Sequence, residues 1–213
     1  MSKKVVIIDY HLGNLFSVQQ ACRHLGADAQ ISSDKNDLIA ADYAILPGVG
    51  AFGDAMQNLH DLDLVNPIHD FIQSGKPFMG VCLGLQLLFS ESEEFGAHKG
   101  LNIIEGTTRR FPPLSTEGQV LKIPQIEWNQ VSRYNGNNWE HSPLQQCSDG
   151  EYMYFVHSYY VTPVQEKYIL STTTYGGLTY CSSIAHENVF ACQFHPERSG
   201  AKGLKIYSSF LNL

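Results

Sequence analysis

Over roughly its first ninety residues the chain alternates short β-branched runs with stretches of helical periodicity, and that alternation limits the folds open to it. "KVVIIDY" (Lys4 to Tyr10) is apolar almost throughout, the pattern of a strand buried on both faces. Asn14 then stands where a helix cap would, ahead of Leu15, Val18, Ala21, Cys22 and Leu25 at spacings of three and four. "DYAILPG" reads as another strand and "LVNPIHDFIQSG" as a helix stopped by Gly75. "KPFMGV" is a strand leading into a helix expected over Leu83 to Ser90, with its acidic end in "SESEE". Strand, helix, strand, helix predicts an α/β fold built on an open, largely parallel twisted sheet flanked by helices.

From about Gly106 the segments shorten and fill with Thr, Tyr, Val and Ser, so the C-terminal part is expected to be β-rich. "CSSIAHENVFACQF" predicts a hairpin turning at Glu187-Asn188, and Gly200 to Leu211 a closing helix. The polar stretch Tyr134 to Gly150 is the segment expected to be least ordered. At 213 residues, 43% of them hydrophobic, the whole span 1–213 fits one domain.

Several function classes are disfavoured. Net charge is -7 and no run of Lys or Arg exceeds a pair, so nucleic acid is not an expected partner. The apolar runs fall far short of the roughly 20 residues a membrane span needs, and "MSKKVVIIDY" passes straight into a strand pattern, so a cytoplasmic protein without membrane contact is expected. The five cysteines have no zinc or redox spacing and read as reduced thiols, and no ligand set for a metal or an organic cofactor is visible.

One thiol stands apart. Gly80-Val81-Cys82-Leu83-Gly84 has the glycine, nucleophile, glycine spacing of a tight strand-to-helix elbow. A cysteine at the start of a helix faces free N–H groups and the positive end of the dipole, which favour the thiolate. Alone, the pattern fits a small buried hydrophobe as well as a nucleophile. "FHPERSG" supplies the base that a nucleophile needs: His195 and Glu197 are two apart, and in an extended segment both side chains point the same way, so a carboxylate can orient the imidazole. A surface His-Pro turn is the plain alternative. A third element, the "LPGVGAFGDAM" turn, offers backbone N–H groups of Gly48, Val49 and Gly50 to a developing oxyanion, with the N–H of Leu83 as a second donor. Its plain alternative is an ordinary strand-to-helix turn.

Together "GVCLGLQLLF" and "QFHPE" resemble the signature pair of the class I (triad) glutamine amidotransferases, a family with a flavodoxin-like fold. "DYHLGN", "IPQIEWN" and "YFVHSYY" further resemble the glutaminase subunits of imidazole glycerol phosphate synthase, and the likeness runs the length of the chain. The resemblance implies that Cys82 forms a glutamyl thioester, with His195 as base and acid and Glu197 as its orienting carboxylate. It assigns the oxyanion hole to the "PGVG" strand, which would switch by a backbone flip linked to a partner. Gln86, Glu94, Ser158 and Tyr159 match positions that hold L-glutamine, although each also fits a packing or surface role. The implied partner is a (βα)8-barrel cyclase subunit in a heterodimer. It would use the ammonia to make imidazole glycerol phosphate and an aminoimidazole carboxamide ribotide in histidine biosynthesis. Asn14, Trp128 and Arg198 match positions on the partner face.

Departures from the usual pattern sit on that same side: Glu127 where a glycine is common, His11 and Leu12 in the first loop, and Arg198 for a lysine. They leave two further readings open. One is a paralogous subunit feeding ammonia to a cyclase-like partner for surface-polysaccharide sugar amidation. The other is a catalytically silent scaffold on the same fold.

Overall fold

A computed structural model describes residues 2–213. The N-terminal half runs β1 (Lys4–Ile8), α1 (Leu15–His24), β2 (Asp28–Ser32), α2 (Lys35–Ala40), β3 (Tyr43–Gly48), α3 (Phe52–Asp61), α4 (Val65–Gln73), β4 (Phe78–Cys82) and α5 (Leu83–Leu87). Then come β5 (Phe89–Ser92), β6 (His98–Lys99), β7 (Ile104–Arg110), β8 (Gln125–Arg133), β9 (Glu151–His157), β10 (Tyr159–Pro163), β11 (Ile169–Tyr175), β12 (Leu178–His186), β13 (Val189–Cys192) and α6 (Gly200–Phe210).

The strands are ordered β2-β1-β3-β4-β13-β12-β10-β7-β5-β6, with β11, β8 and β9 branching from β12. The first five positions of that path are parallel throughout, the arrangement expected from the alternating pattern. Successive residues of β1 divide between two cores: Val5 and Ile7 pack beneath α1 and α6, Val6 and Ile8 beneath α2 to α5. Each such buried Val or Ile contributes about 1.5–3 kcal/mol of transfer free energy, which is why β1 is apolar beyond its exposed first residue, Lys4. From β13 outward the pairing turns antiparallel, apart from β5 on β7, and forms the β-rich C-terminal part.

The decisive connection is the hairpin β12–β13. It turns at Glu187-Asn188 as expected, and the Asn188 amide donates to the carbonyls of Ile72 (2.9 Å) and Lys76 (2.6 Å). That tie lays β13 parallel against β4, with Cys192 opposite Val81, while Gly48 of β3 lies opposite Cys82 on the other side. The carboxyl ends of β3, β4 and β13 therefore finish side by side, where open α/β sheets carry their sites.

Three sequence expectations are corrected. The helix after Cys82 stops at Leu87, because from Phe89 the backbone pairs with β7 as strand β5 and its N–H and C=O groups are taken by the sheet. The "SESEE" segment begins in β5, which pairs with β7, so its end is set by the sheet. Asn14 stands at the cap position of α1 without a side-chain cap bond; its Oδ1 accepts from the Ser17 hydroxyl at 2.9 Å. Within Tyr134 to Gly150, Trp139 is fully buried and its indole N–H donates to the Leu170 carbonyl at 3.0 Å, and Leu144 and Cys147 are also buried. Among the described residues no helix is long and apolar enough to cross a membrane.

Candidate active site

Cys82 is the corner between β4 and α5, at φ 56° and ψ −107°. A non-glycine residue there is strained by about 1–3 kcal/mol, held in place only because its surroundings fix it. The flanking glycines explain how. A Cβ on Gly84 would lie 1.8 Å from the Leu46 carbonyl oxygen, and one on Gly80 would lie 2.8 Å from the Gly84 oxygen. The elbow closes only if neither residue has a side chain.

His195 follows β13, its backbone N–H bonded to the Tyr154 carbonyl (2.9 Å) and its own carbonyl accepting from the Ser199 hydroxyl (2.7 Å). The ring Nδ1 meets Glu197 Oε1 at 2.8 Å, both side chains nearly fully buried. The route differs from the expected extended segment: Pro196–Arg198 form a 3-10 turn. Proline at its first position has the φ and the missing N–H that a helical start tolerates, and the turn swings Glu197 back onto the ring. Asn14 Nδ2 approaches the same Glu197 oxygen at 3.5 Å.

His195 Nε2 is buried and makes no hydrogen bond among the described residues, nor does Glu197 Oε2. Burial alone pushes the imidazolium down. The charge and close approach of the Cys82 sulfur, and after them the bond and charge of Glu197, outweigh it and lift His195 from 6.5 to about 10. The sulfur accepts from Gln193 Nε2 at 3.6 Å and, as a thiol, donates to the Val156 carbonyl at 3.9 Å. No amide of the short helix α5 caps it.

A cavity of about 280 Å³ opens in front of the sulfur. Val49, Gly50 and Leu83 lie on its wall, as do Gln86, Glu94, Ser158 and Tyr159. Gly48 is not on the wall. It lies behind, so close to the Tyr10 hydroxyl that a Cβ would come within 2.1 Å of it. Gly50 has φ 122°, a conformation for which glycine is suited. Glu94 accepts from the Phe52 N–H at 2.7 Å, at the start of α3, and burial pushes its carboxyl up. Gln86 donates through Nε2 to the Tyr159 carbonyl at 3.0 Å.

Asn14, Trp128 and Arg198 share one face close to His195. The Trp128 ring meets Tyr154 edge-on at 6.1 Å, the Arg198 guanidinium stands over the same Tyr154 ring at 5.7 Å, and Tyr154 lies 6.5 Å from His195. Trp128 is half exposed, as are Ile126 and Tyr152 on the same two strands. Of the departures, His11 takes φ 69°, and its N–H donates to Asp9 Oδ1 at 2.9 Å.

Sequence reasoning missed Gln193, although "QFHPE" contains it, because an isolated glutamine carries no pattern. It missed Tyr10, whose buried hydroxyl donates to the Pro47 carbonyl at 2.8 Å. It also missed His157, whose Nδ1 lies 2.7 Å from the Tyr159 carbonyl and whose pKa burial pushes down to about 3, leaving the ring neutral. Both lie inside quoted motifs, Tyr10 in "DYHLGN" and His157 in "YFVHSYY" beside Ser158, and that placement was the signal available for finding them.

The glutamine amidotransferase class-I family matches residues 6–212. The chain is similar to "Imidazole glycerol phosphate synthase subunit HisH" of Syntrophotalea carbinolica, 47% identical over 97% of this chain and 98% of that protein. The subunit of the same name from Trichormus variabilis is 47% identical over 98% and 95%. "Imidazole glycerol phosphate synthase subunit HisH 1" of Legionella pneumophila strain Paris is 43% identical over 98% and 99%. In fold the chain is similar to PurLQS from Thermotoga maritima, with TM-score 0.73 and 18% identity over 100% of this chain and 99% of that one. It is also similar to a crystal structure of a glutamine amidotransferase, with TM-score 0.72 and 16% identity over 98% and 97%.

Proposed function

Because the chain belongs to the class I glutamine amidotransferase family, we propose that the residues around Cys82 hydrolyse L-glutamine and release its amide nitrogen as ammonia. The chain is a glutaminase subunit of imidazole glycerol phosphate synthase, in histidine biosynthesis. The Cys82 sulfur adds to the carboxamide carbon, and the carbonyl oxygen becomes an oxyanion facing the N–H groups of Leu83 and of Val49 and Gly50, the residues of the turn that reach the cavity wall, whereas Gly48 lies too far back to serve as the donor the sequence suggested. His195 Nε2 gives its proton to the amide nitrogen, the C–N bond breaks, and ammonia leaves a glutamyl thioester. Water then adds to the thioester with His195 taking its proton, and glutamate departs as the sulfur is restored. Glu197 keeps the imidazole in one orientation throughout. Glu94 meets the substrate's α-ammonium group, with Gln86, Ser158 and Tyr159 along the same wall.

The observation that supports this most directly is the buried His195–Glu197 bond of 2.8 Å, with Nε2 left free beside the Cys82 corner. A (βα)8-barrel cyclase subunit docks on the Asn14, Trp128 and Arg198 face and takes up the ammonia to form imidazole glycerol phosphate and the aminoimidazole carboxamide ribotide. Residues 1–213 act as one amidotransferase domain. The free thiols suit a reducing compartment, and we assign the enzyme to the cytoplasm.

The test is glutamine hydrolysis by the chain alone and mixed with the cyclase barrel and its nucleotide ligand. Strong activation by the barrel and loss of glutamine-dependent activity in Cys82→Ser are expected. Indifference to the barrel would send the ammonia to another acceptor, and a fully active Cys82→Ser would end the thioester mechanism.

A further inference from the structure

We propose that Gln193 holds the nucleophile: its side-chain N–H is the donor that positions the Cys82 sulfur and stabilises its anionic form, and Gln86 orients that amide. The inference rests on the reading of Cys82 as the reacting thiol. Gln193 is fully buried, one residue beyond β13, where its backbone N–H still bonds to the Ser182 carbonyl at 2.9 Å. Its Nε2 lies 3.6 Å from Cys82 Sγ and its Oε1 3.1 Å from Gln86 Nε2.

The direction of this chain of bonds is not arbitrary. A backbone carbonyl can only accept, so the Gln86 atom 3.0 Å from the Tyr159 oxygen must be the amide nitrogen. That same nitrogen faces Gln193, so Gln193 must turn its oxygen toward Gln86. Its nitrogen is then left pointing at the sulfur. A lone donor aimed at a thiol from a dry interior favours the form that accepts best, the thiolate. When the thioester forms, the sulfur loses its charge and the bond weakens. When water expels glutamate from the sulfur, the bond is regained, so Gln193 also favours thiolate as leaving group.

The ionisable groups coupled to this sulfur are His195, Tyr10 and Cys192, with Glu197 behind His195. Gln193 itself is neutral at every pH, so replacing it with a neutral side chain leaves that set unchanged. The full-length chain would be alkylated with iodoacetamide across pH 5 to 10, and Cys82 labelling followed by peptide mass spectrometry. In Gln193→Met, which keeps length and removes both polar atoms, the labelling profile should move up by about one pH unit, a tenfold loss of thiolate at a given pH. Gln193→Glu, which keeps the shape but can put a like charge beside the sulfur, should move it further. In the complex with the cyclase, kcat for glutamine should fall about tenfold or more in Gln193→Met while KM changes little.

A folded Gln193→Met chain with the parental labelling profile would overturn the proposal. Should that variant not fold, Gln86→Met removes the group that orients the amide, and an unmoved profile there would overturn it equally. Labelling requires no glutamine, so a shifted profile in a chain that does not hydrolyse glutamine would count against the glutaminase reading and leave the role of Gln193 standing.

Discussion

At the scale of single residues, the site is a set of charges that only make sense together. His195 is buried, which by itself favours the neutral ring, yet the sulfur and Glu197 hold the proton on it up to about pH 10. The folded value lies above the ordinary 6.5 of an exposed histidine. The stability this contributes is therefore complete below about pH 6.5 and lost as pH rises through about 10. Melting temperatures measured from pH 6 to 10.5 should fall more steeply for the parent than for Cys82→Ala, in which the anion that holds the proton is gone. Parallel curves for the two chains would mean that the sulfur does not stabilise the imidazolium. Strain belongs to the same scale, since Cys82 and His11 both take positive φ and each is held by neighbours, Cys82 by the packed elbow and His11 by Asp9.

At the scale of elements, the elbow depends on how closely α5 approaches β3. The two glycines of the corner are ordinary letters in a glycine-containing run, but Gly84 lies where backbone meets backbone. Gly84→Ala should therefore cost about 3 kcal/mol or more, beyond the usual penalty for overpacking a core. Gly75→Ala is the control: its φ of 78° is also positive, but nothing lies within 4 Å, so only the backbone preference of about 1 kcal/mol is lost. Urea denaturation of both variants checks this, and equal losses would show that close packing at the corner is not what holds it. The 3-10 turn after His195 is another case in which the element decides. Glu197 reaches the ring because the backbone curls, a geometry that the sequence spacing alone did not choose.

At the scale of the whole molecule, the sheet puts the site directly beneath an open apolar face. The ribbon of β8 and β9 leaves Ile126, Trp128 and Tyr152 half exposed, and Tyr154 links Trp128 and Arg198 to His195. A large aromatic of this kind, next to a cation, is the usual anchor of a protein interface. Trp128→Ala should weaken association with the cyclase barrel by about 2 kcal/mol, roughly thirtyfold in Kd, as measured by titration calorimetry. An unchanged Kd would move the docking face away from this ribbon.

The parallel half of the fold, the elbow at Cys82 and the hairpin at Glu187-Asn188 were legible in the sequence, as was the partnership of His195 with Glu197, though not the 3-10 turn that makes it. Each depends on period, turn chemistry or spacing over a few residues, and local rules govern those. The early end of α5, the burial of Trp139 within Tyr134 to Gly150, and the parts played by Tyr10, His157 and Gln193 were not legible. In most of these the deciding partner is distant in the chain: Leu170 for Trp139, Pro47 for Tyr10, Tyr180 for the Nε2 of His157, Cys82 for Gln193. A buried polar group takes whatever partner the folded interior presents, because leaving it unpaired costs more than any local preference returns. The sequence by itself singled out the residues proposed for the chemistry; the tertiary structure decided which way their hydrogen bonds point.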